Sequence, residues 1–204
     1  MTRAPAVAAL LLAVAGCGGA DTPAEPATSP VAPTPTATET TEAASEAPSP
    51  PPRGSFVEDD SVDASAGEVA VTDPTAMAVV DAFVRYTQVR LEAFNRAEVD
   101  PAALAEVATG DAMTQVTSYV DRLARRGEHV VGSVVVNVDA VDVEGTRATL
   151  DTCMQNSSVD VDESGRVVEK GAPAAYLGRV DAVQVTSDTW VVADVTVDFA
   201  EACP

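Results

Sequence analysis

The hydrophobic pattern divides the second two thirds of the chain into a helical part and a β part. Asp73-Pro74 is typical of a helix start, because aspartate caps the first turn and proline suits its first position. Asp100-Pro101 and Thr109-Gly110-Asp111 begin two further runs, and Gly127 suits the end of the last one. The pattern therefore predicts three helices. Their apolar stripes are Met77, Val80, Val84, Leu91 and Phe94 in the first, and Met113, Val116, Val120 and Leu123 in the third.

Beyond Gly132 the apolar residues alternate with polar ones, which is typical of half-buried strands. Turn residues at Glu144-Gly145, Asp162–Gly165 and Ser187-Asp188 separate the alternating segments. The predicted strands cover residues 134–141, 146–157, 176–186 and 190–199. Helices followed by strands predict an α+β fold, with N-terminal helices packed on one face of a curved antiparallel sheet.

The same alternation assigns side chains to the two faces of this sheet. Four aspartates fall on the polar positions of their strands, and we expect them to face water: Asp139, Asp151, Asp194 and Asp198. Four apolar residues are interleaved with them: Trp190, Val135, Val141 and Val192. An apolar patch rimmed by charge is typical of protein contacts, so these four residues form a candidate interaction face for an envelope protein or a second copy of the chain.

The chain begins with the pattern of a secretion signal. Arg3 precedes the apolar run of residues 6–15, which is too short to span a bilayer, and Val14-Ala15-Gly16-Cys17 follows. This tetrapeptide resembles the lipobox of bacterial lipoproteins. The resemblance implies removal of residues 1–16 and a diacylglycerol on Cys17, with acyl chains such as palmitate holding the protein on the extracytoplasmic face of the cell membrane. The alternative is an ordinary signal peptide with an incidental cysteine.

Residues 17–73 are rich in Pro, Thr and Ser and hold nine of the fourteen prolines. Such a composition buries too little apolar surface to fold, so it predicts a disordered linker between the lipid and a domain at residues 74–204. Phe56-Val57 is the one pair there that could dock on the domain, and we expect it to remain solvated.

The order of the predicted elements, with a tryptophan in the last strand, resembles the nuclear transport factor 2-like or ketosteroid isomerase-like cone. The resemblance covers roughly Asp73 to Cys203. Members of this fold include isomerases, dehydratases, small-molecule binders and purely interacting domains, so the fold alone selects no function.

The net charge restricts the possible binding partners, and the cysteines predict a disulfide. The formal net charge of −20 disfavours nucleic acid as a partner. With Cys17 lipidated and the chain exported, we expect Cys153 and Cys203 to form a disulfide. Alternation places these two cysteines on opposite faces, so a kink or bulge near residues 200–202 is required.

Few residues are candidates for chemistry. His129, the only histidine, follows the predicted end of the third helix, where an exposed loop residue is expected. Three tyrosines could line a pocket, although tyrosines at the rim of a core are more common: Tyr86, Tyr119 and Tyr176. Asp160–Gly165 opens like a calcium loop, but Gly171 occupies the position of the bidentate glutamate, which favours a hairpin turn. No motif for a metal, a cofactor or a catalytic nucleophile is found.

The sequence therefore favours a membrane-anchored cell-envelope lipoprotein with a non-catalytic protein-interaction domain. The alternatives are a binder of a small apolar ligand in the cone cavity and an isomerase-like or dehydratase-like enzyme. A collapsed cone filled by Val and Leu favours the first function, a dry cavity of several hundred Å³ favours the second, and an inward carboxylate with a raised pKa favours the third.

The lipid anchor depends on a single thiol. Replacement by Cys17→Ala removes the only atom of the lipobox that can carry the diacylglycerol, so we expect loss of the acyl mass increment and release of the protein from washed membranes. Intact mass spectrometry and membrane fractionation measure both effects. Full membrane retention of the variant, with the same mass increment as the wild type, would show that the anchor lies elsewhere.

Overall fold

The computed structural model describes residues 50–168 and 175–204, which form an α+β fold, as predicted. The predicted signal peptide, Cys17 and most of the predicted linker lie outside these residues. Among the residues described, no helix has both the length and the hydropathy needed to cross a membrane. In chain order the elements are β1 (Val62–Val69), α1 (Pro74–Arg96), α2 (Pro101–Ala105), α3 (Gly110–Arg126), β2 (Glu128–Glu144), β3 (Arg147–Asn156), β4 (Val159–Asp162), β5 (Ala175–Thr186) and β6 (Thr189–Ala200).

The three predicted helices are confirmed, together with the residues that begin and end them. The Asp73 carboxylate accepts hydrogen bonds from two backbone N–H groups of the first turn of α1, at 2.9 and 3.0 Å. Asp100 caps α2 in the same way. Helix α3 ends at Gly127, whose φ of 64° is a left-handed conformation that glycine adopts without strain.

The predicted buried stripe of α1 is partly wrong. Met77 and Val84 are only partly buried, whereas three other residues of the helix are almost fully buried: Val79, Phe83 and Tyr86. The observed face is wider than the predicted stripe because α1 contacts β1, β2, β6 and both other helices. A helix enclosed on several sides needs apolar residues over more than one narrow stripe.

The helices pack on one face of a six-stranded sheet in the order β1-β2-β3-β5-β6, with β4 paired to the first part of β2. Strand β2 bends at Gly132, where φ is 107° and a Cβ atom would lie 2.9 Å from the Ser157 carbonyl oxygen. Before the bend β2 pairs with β4, and after it with β3. The bend therefore gives β2 two different antiparallel partners along one edge.

The predicted boundary between linker and domain at residue 73 is wrong. Strand β1 lies within the predicted linker and pairs with β2 in parallel, so the sheet is not purely antiparallel. The segment has no large apolar residue between Val62 and Val69, and most of its side chains are exposed. Its pattern of apolar residues is therefore too weak to predict a strand. Val57, expected to be solvated, packs on a small apolar cluster, while Phe56 remains 68% exposed.

Register shifts interrupt the pairing at four places in the described sheet, and two of them are β-bulges that change the predicted faces. In β2, Val138 pairs with Thr152 and Ala140 with Asp151, which leaves Asp139 as an extra residue. In β6, Ala193 is extra in the same way. Each bulge reverses the assignment of side chains to faces beyond it. The core-facing series therefore runs Val134, Val136, Val138, Val141 and Val143 in β2, and Trp190, Val192 and Val195 in β6.

These bulges make the predicted interaction face wrong. Trp190 is 5% exposed, Val192 is fully buried and Val141 packs against the same core. Only Val135 points to the opposite face, and it too is partly buried. An apolar residue near a bulge therefore faces the core, although strict alternation along its strand predicts that it lies on the opposite face of the sheet.

The predicted disulfide between Cys153 and Cys203 is present. Strand β6 ends at Ala200, and a bend at residues 201–202 brings Cys203 to the outer face of β3. Such a bend was expected, because alternation along the strands places the two cysteines on opposite faces of the sheet. Asn137 supports this junction, because its side-chain N–H groups lie 3.1 Å from the Cys153 carbonyl oxygen and 3.7 Å from the Cys203 sulfur. The disulfide therefore fastens the end of the chain across β5 to the centre of the sheet.

Removal of the disulfide should lower the free energy of unfolding. The cysteines are 50 residues apart, and the chain-entropy treatment gives about 4 kcal/mol for a loop of that length. Guanidinium denaturation of the double variant Cys153→Ala/Cys203→Ala measures the loss. The wild type in reducing buffer is the matched control and should unfold at nearly the same denaturant concentration. A double variant as stable as the oxidised wild type would contradict the prediction.

Candidate functional site

A cavity of about 580 Å³ lies between the helices and the concave face of the sheet. Its walls come from the second half of α1, the middle of α3, and the strand segments around the bend of β2. The apolar part of the wall consists of Leu91, Phe94, Val116, Val130, Val134, Val159, Met154, Val197 and Phe199. The core is closely packed beside Trp190 and Leu150, and it opens toward this end of the sheet.

Polar groups converge on the same cavity. All three tyrosines line it, with Tyr86 on α1, Tyr119 on α3 and Tyr176 at the start of β5. Burial raises the pKa of the Tyr86 hydroxyl, and Arg90 opposes that rise without cancelling it, through its charge and through a hydrogen bond from its side chain. Burial also raises the pKa of Tyr176, against a hydrogen bond with Asn156. Both hydroxyls therefore remain protonated at neutral pH and can donate hydrogen bonds.

One side of the cavity holds a buried ion pair. The carboxylate of Asp160, on β4, accepts a hydrogen bond of 2.9 Å from the Tyr119 hydroxyl and one of 3.2 Å from Arg122. Asp160 is only 8% exposed, and the Arg122 guanidinium lies 4.1 Å from the centre of the Tyr119 ring. Buried charges need such partners. The cluster joins α3 to β4 and gives Asp160 a structural role that its place in a predicted turn did not indicate.

Arg90 lies on α1 and lines the same cavity. Its guanidinium carbon is 5.6 Å from the centre of the Tyr86 ring and 6.0 Å from that of Phe94. Within residues 50–168 and 175–204, no carboxylate oxygen lies within 4 Å of its guanidinium. Its buried Nε has no hydrogen-bond partner among these residues, and neither has the Nε of Arg122. Arg90 therefore differs from Arg122, whose charge is matched by Asp160.

Sequence reasoning missed Arg90, Arg122 and Asp160. A signal for Arg90 exists, since it lies midway between Tyr86 and Phe94 at a spacing of four residues, on the face that α1 turns to the sheet. A charged residue on the buried face of an amphipathic helix points to a partner or a ligand. Asp160 and Arg122 have no comparable signal, because their elements meet only in the folded chain.

The other candidate residues lie outside the cavity. His129, expected in a loop, belongs to β2, and its Nε2 lies 3.7 Å from an Asp60 oxygen. The hairpin turn at Asp162–Gly165 is confirmed by the hydrogen bond from the Gly165 N–H to the Asp162 carbonyl oxygen. Of the aspartates expected to face water, Asp194 accepts a hydrogen bond of 3.1 Å from Gln115. No group of three or more metal-ligating side chains gathers in the described part of the chain.

No family model matches the chain, and no protein with curated annotation matches it. Among solved structures, the intermembrane space region of the chloroplast protein ARC6 is 18% identical, with a TM-score of 0.49, over 64% of this chain and 99% of that one. The Kfla4162 protein from Kribbella flavida is 16% identical, with a TM-score of 0.34, over 60% and 89%. Structural similarity at this level gives no evidence about function.

The buried tyrosines should make the fold sensitive to alkaline pH. The folded state holds the protons of Tyr86 and Tyr176 more tightly than the unfolded chain, whose tyrosines have the ordinary pKa of 10.0. Their contribution to stability is therefore complete below that pH and is lost as the pH rises through the folded-state pKa. Urea denaturation at a series of alkaline pH values should show this fall.

Tyr86→Phe tests which residue is responsible, because it removes the titrating hydroxyl and keeps the ring. We expect a shallower alkaline loss of stability in this variant, and a smaller change in Tyr176→Phe, since Tyr176 is less buried. An alkaline slope of Tyr86→Phe equal to that of the wild type would contradict the assignment.

Proposed function

We propose that this chain is a membrane-anchored cell-envelope lipoprotein whose cone-like domain binds a small, largely apolar ligand in the cavity between α1, α3 and the sheet. The cavity volume of about 580 Å³ carries the proposal. Ligand pockets in proteins span about 300 to 1,000 Å³, and they combine mainly apolar walls with a few convergent polar groups. The wall around Leu91, Val134 and Met154, with tyrosines set into it, has this composition.

The cavity favours ligand binding over the protein-interaction function. The apolar face on which that function rested lies in the core, where Trp190 and Val192 contact other side chains of the same domain. A core packed by Val and Leu throughout was the expectation for an interaction domain. The core instead opens beside Val130 and Val134, at the end of the sheet where Tyr176 and Phe199 lie.

The polar groups of the cavity support binding without requiring a reaction. Both oxygens of the inward carboxylate, Asp160, are engaged by Tyr119 and Arg122. This geometry is typical of a structural ion pair that holds two elements together, in this case α3 and β4. The absence of catalysis stays a prediction, and small-molecule binders are among the members of the cone fold that the sequence resembles. The lipid anchor at Cys17 supports a binding site held at the envelope, where apolar compounds partition.

A side chain that fills the cavity should abolish binding of an apolar probe. N-phenylnaphthylamine is neutral and gains fluorescence in apolar sites, and we expect it to bind the wild type saturably. Val134→Phe places a ring in the cavity, because Val134 is 4% exposed and lines the apolar wall. Fluorescence titration should show at least a tenfold weaker affinity, since about 1.4 kcal/mol of lost contact corresponds to that factor.

Val185→Phe is the matched control, because Val185 lies on the same sheet and is 57% exposed outside the cavity. Its affinity for the probe should equal that of the wild type. Circular dichroism of both variants checks folding, and Val130→Phe offers a second blocking position. Saturable binding that survives both blocking variants, in folded protein, would place the probe elsewhere and remove the support for a cavity ligand.

A further inference from the structure

We infer that the ligand of this cavity is amphipathic and carries an oxyanion head group, a carboxylate or a phosphate, which Arg90 binds. This inference rests on the proposed binding function and deepens it by naming the class of ligand. It starts from the two arginines that line the cavity, Arg90 and Arg122. Both are partly buried, and only one of them has a carboxylate to match its charge.

The composition of the chain makes this difference informative. The protein has 32 acidic residues against 12 Lys and Arg, so carboxylates are abundant near most arginines. Six of the ten described arginines lie within 4 Å of a carboxylate oxygen, among them the exposed Arg85, 2.7 Å from Glu106, and Arg96, 3.8 Å from Glu92. Of the other four, Arg53, Arg125 and Arg147 are exposed to water, and only Arg90 is partly buried. Arg90 lies in a less polar environment and has no carboxylate within 4 Å in the described residues. A partly buried guanidinium without a counter-charge costs folding free energy, and an anionic ligand would supply the missing charge.

The position of Arg90 suits anion binding. The rings of Tyr86 and Phe94, one turn before and one turn after it on α1, lie 5.6 and 6.0 Å from its guanidinium carbon. Contacts with aromatic rings limit the orientations of the planar group, which reduces the ordering entropy lost when a ligand binds. A guanidinium presents parallel N–H donors that match the two oxygens of a carboxylate or a phosphate.

The remaining cavity wall defines the rest of the ligand. The hydroxyls of Tyr86 and Tyr176 remain protonated at neutral pH and add neutral donors near Arg90, whose charge acts on both of them. Away from these groups the wall has a second polar part, where Asp160 already pairs with Arg122 and Tyr119, and an apolar part that includes Val116, Val130 and Met154. One cation without a carboxylate, with neighbouring donors and an adjoining apolar wall, fits a single anionic head attached to a hydrocarbon body.

Three probes with the same hydrocarbon chain test this inference: dodecanoate, dodecyl phosphate and dodecanol. The full chain is used with its disulfide intact and with Cys17→Ser, so that no attached acyl chain competes for the cavity. Displacement of N-phenylnaphthylamine measures affinity below the critical micelle concentration of each probe. We expect at least one anionic probe to bind about tenfold or more tightly than dodecanol, the factor typical of a hydrogen bond to a charged group. The two anionic probes distinguish a carboxylate head from a phosphate head.

Arg90→Gln should abolish the preference for the anionic probes and leave dodecanol binding within about twofold of the wild type. Arg90→Lys keeps the charge and should retain part of the preference. Arg85→Gln is the matched control, because it removes the same charge from an exposed site of the same helix, and its affinities should not change. Retained dodecanol binding by Arg90→Gln shows that the variant is folded.

The possible failures are distinct. If dodecanol binds as tightly as both anionic probes, or if Arg90→Gln keeps the anion preference, Arg90 does not bind a head group, and the apolar binding function stands. If only N-phenylnaphthylamine binds, the inference on the ligand class is likewise overturned. If no probe binds, including N-phenylnaphthylamine, the proposed function itself fails.

Discussion

The two bulges, at Asp139 in β2 and Ala193 in β6, determine how the sheet meets the helices. A bulge increases the local bend and twist of a strand, and each of these lies beside the buried part of the core. Beyond each bulge the series of inward side chains restarts after three residues instead of two, so that Val141 and Val195 still point to the core. The closed end of the core, around Trp190 and Leu150, depends on this correction. The cavity lies at the other end, where β2 bends at Gly132.

Signals contained within a few residues predicted most of the fold. The Asp-Pro pairs before α1 and α2, the glycine after α3 and the alternation of β5 and β6 all act over one turn of helix or one strand. Strand β1 could not be predicted in this way, because its residues gain stability from pairing with β2, far along the chain, and from packing against α1. The face of Trp190 could not be predicted either, since a bulge is a property of two paired strands.

The cavity was foreseen only as an alternative, and its charged groups were not foreseen. Tyr86, Tyr119 and Tyr176 were recognised as possible lining residues from their type alone. Asp160 and Arg122 come from β4 and α3, and only the bend of β2 brings β4 to the position where it faces α3. Their contact is a tertiary one with no counterpart in local spacing. Arg90 was open to prediction, because it interrupts the apolar series on the face of α1 that meets the sheet.

The two cavity arginines differ in whether the folded domain offsets the free energy of burying their charge. This difference bears on why Arg90 is present. Arg122 stabilises the fold through Asp160 and Tyr119, so its desolvation is offset within the domain. Arg90 has no carboxylate within 4 Å among the described residues, and a Leu or Met at this position would fill the same wall without an unmatched charge. Packing alone therefore gives no reason for an arginine between Tyr86 and Phe94. The proposed binding site would account for it, since binding sites retain groups that the folded state would be more stable without.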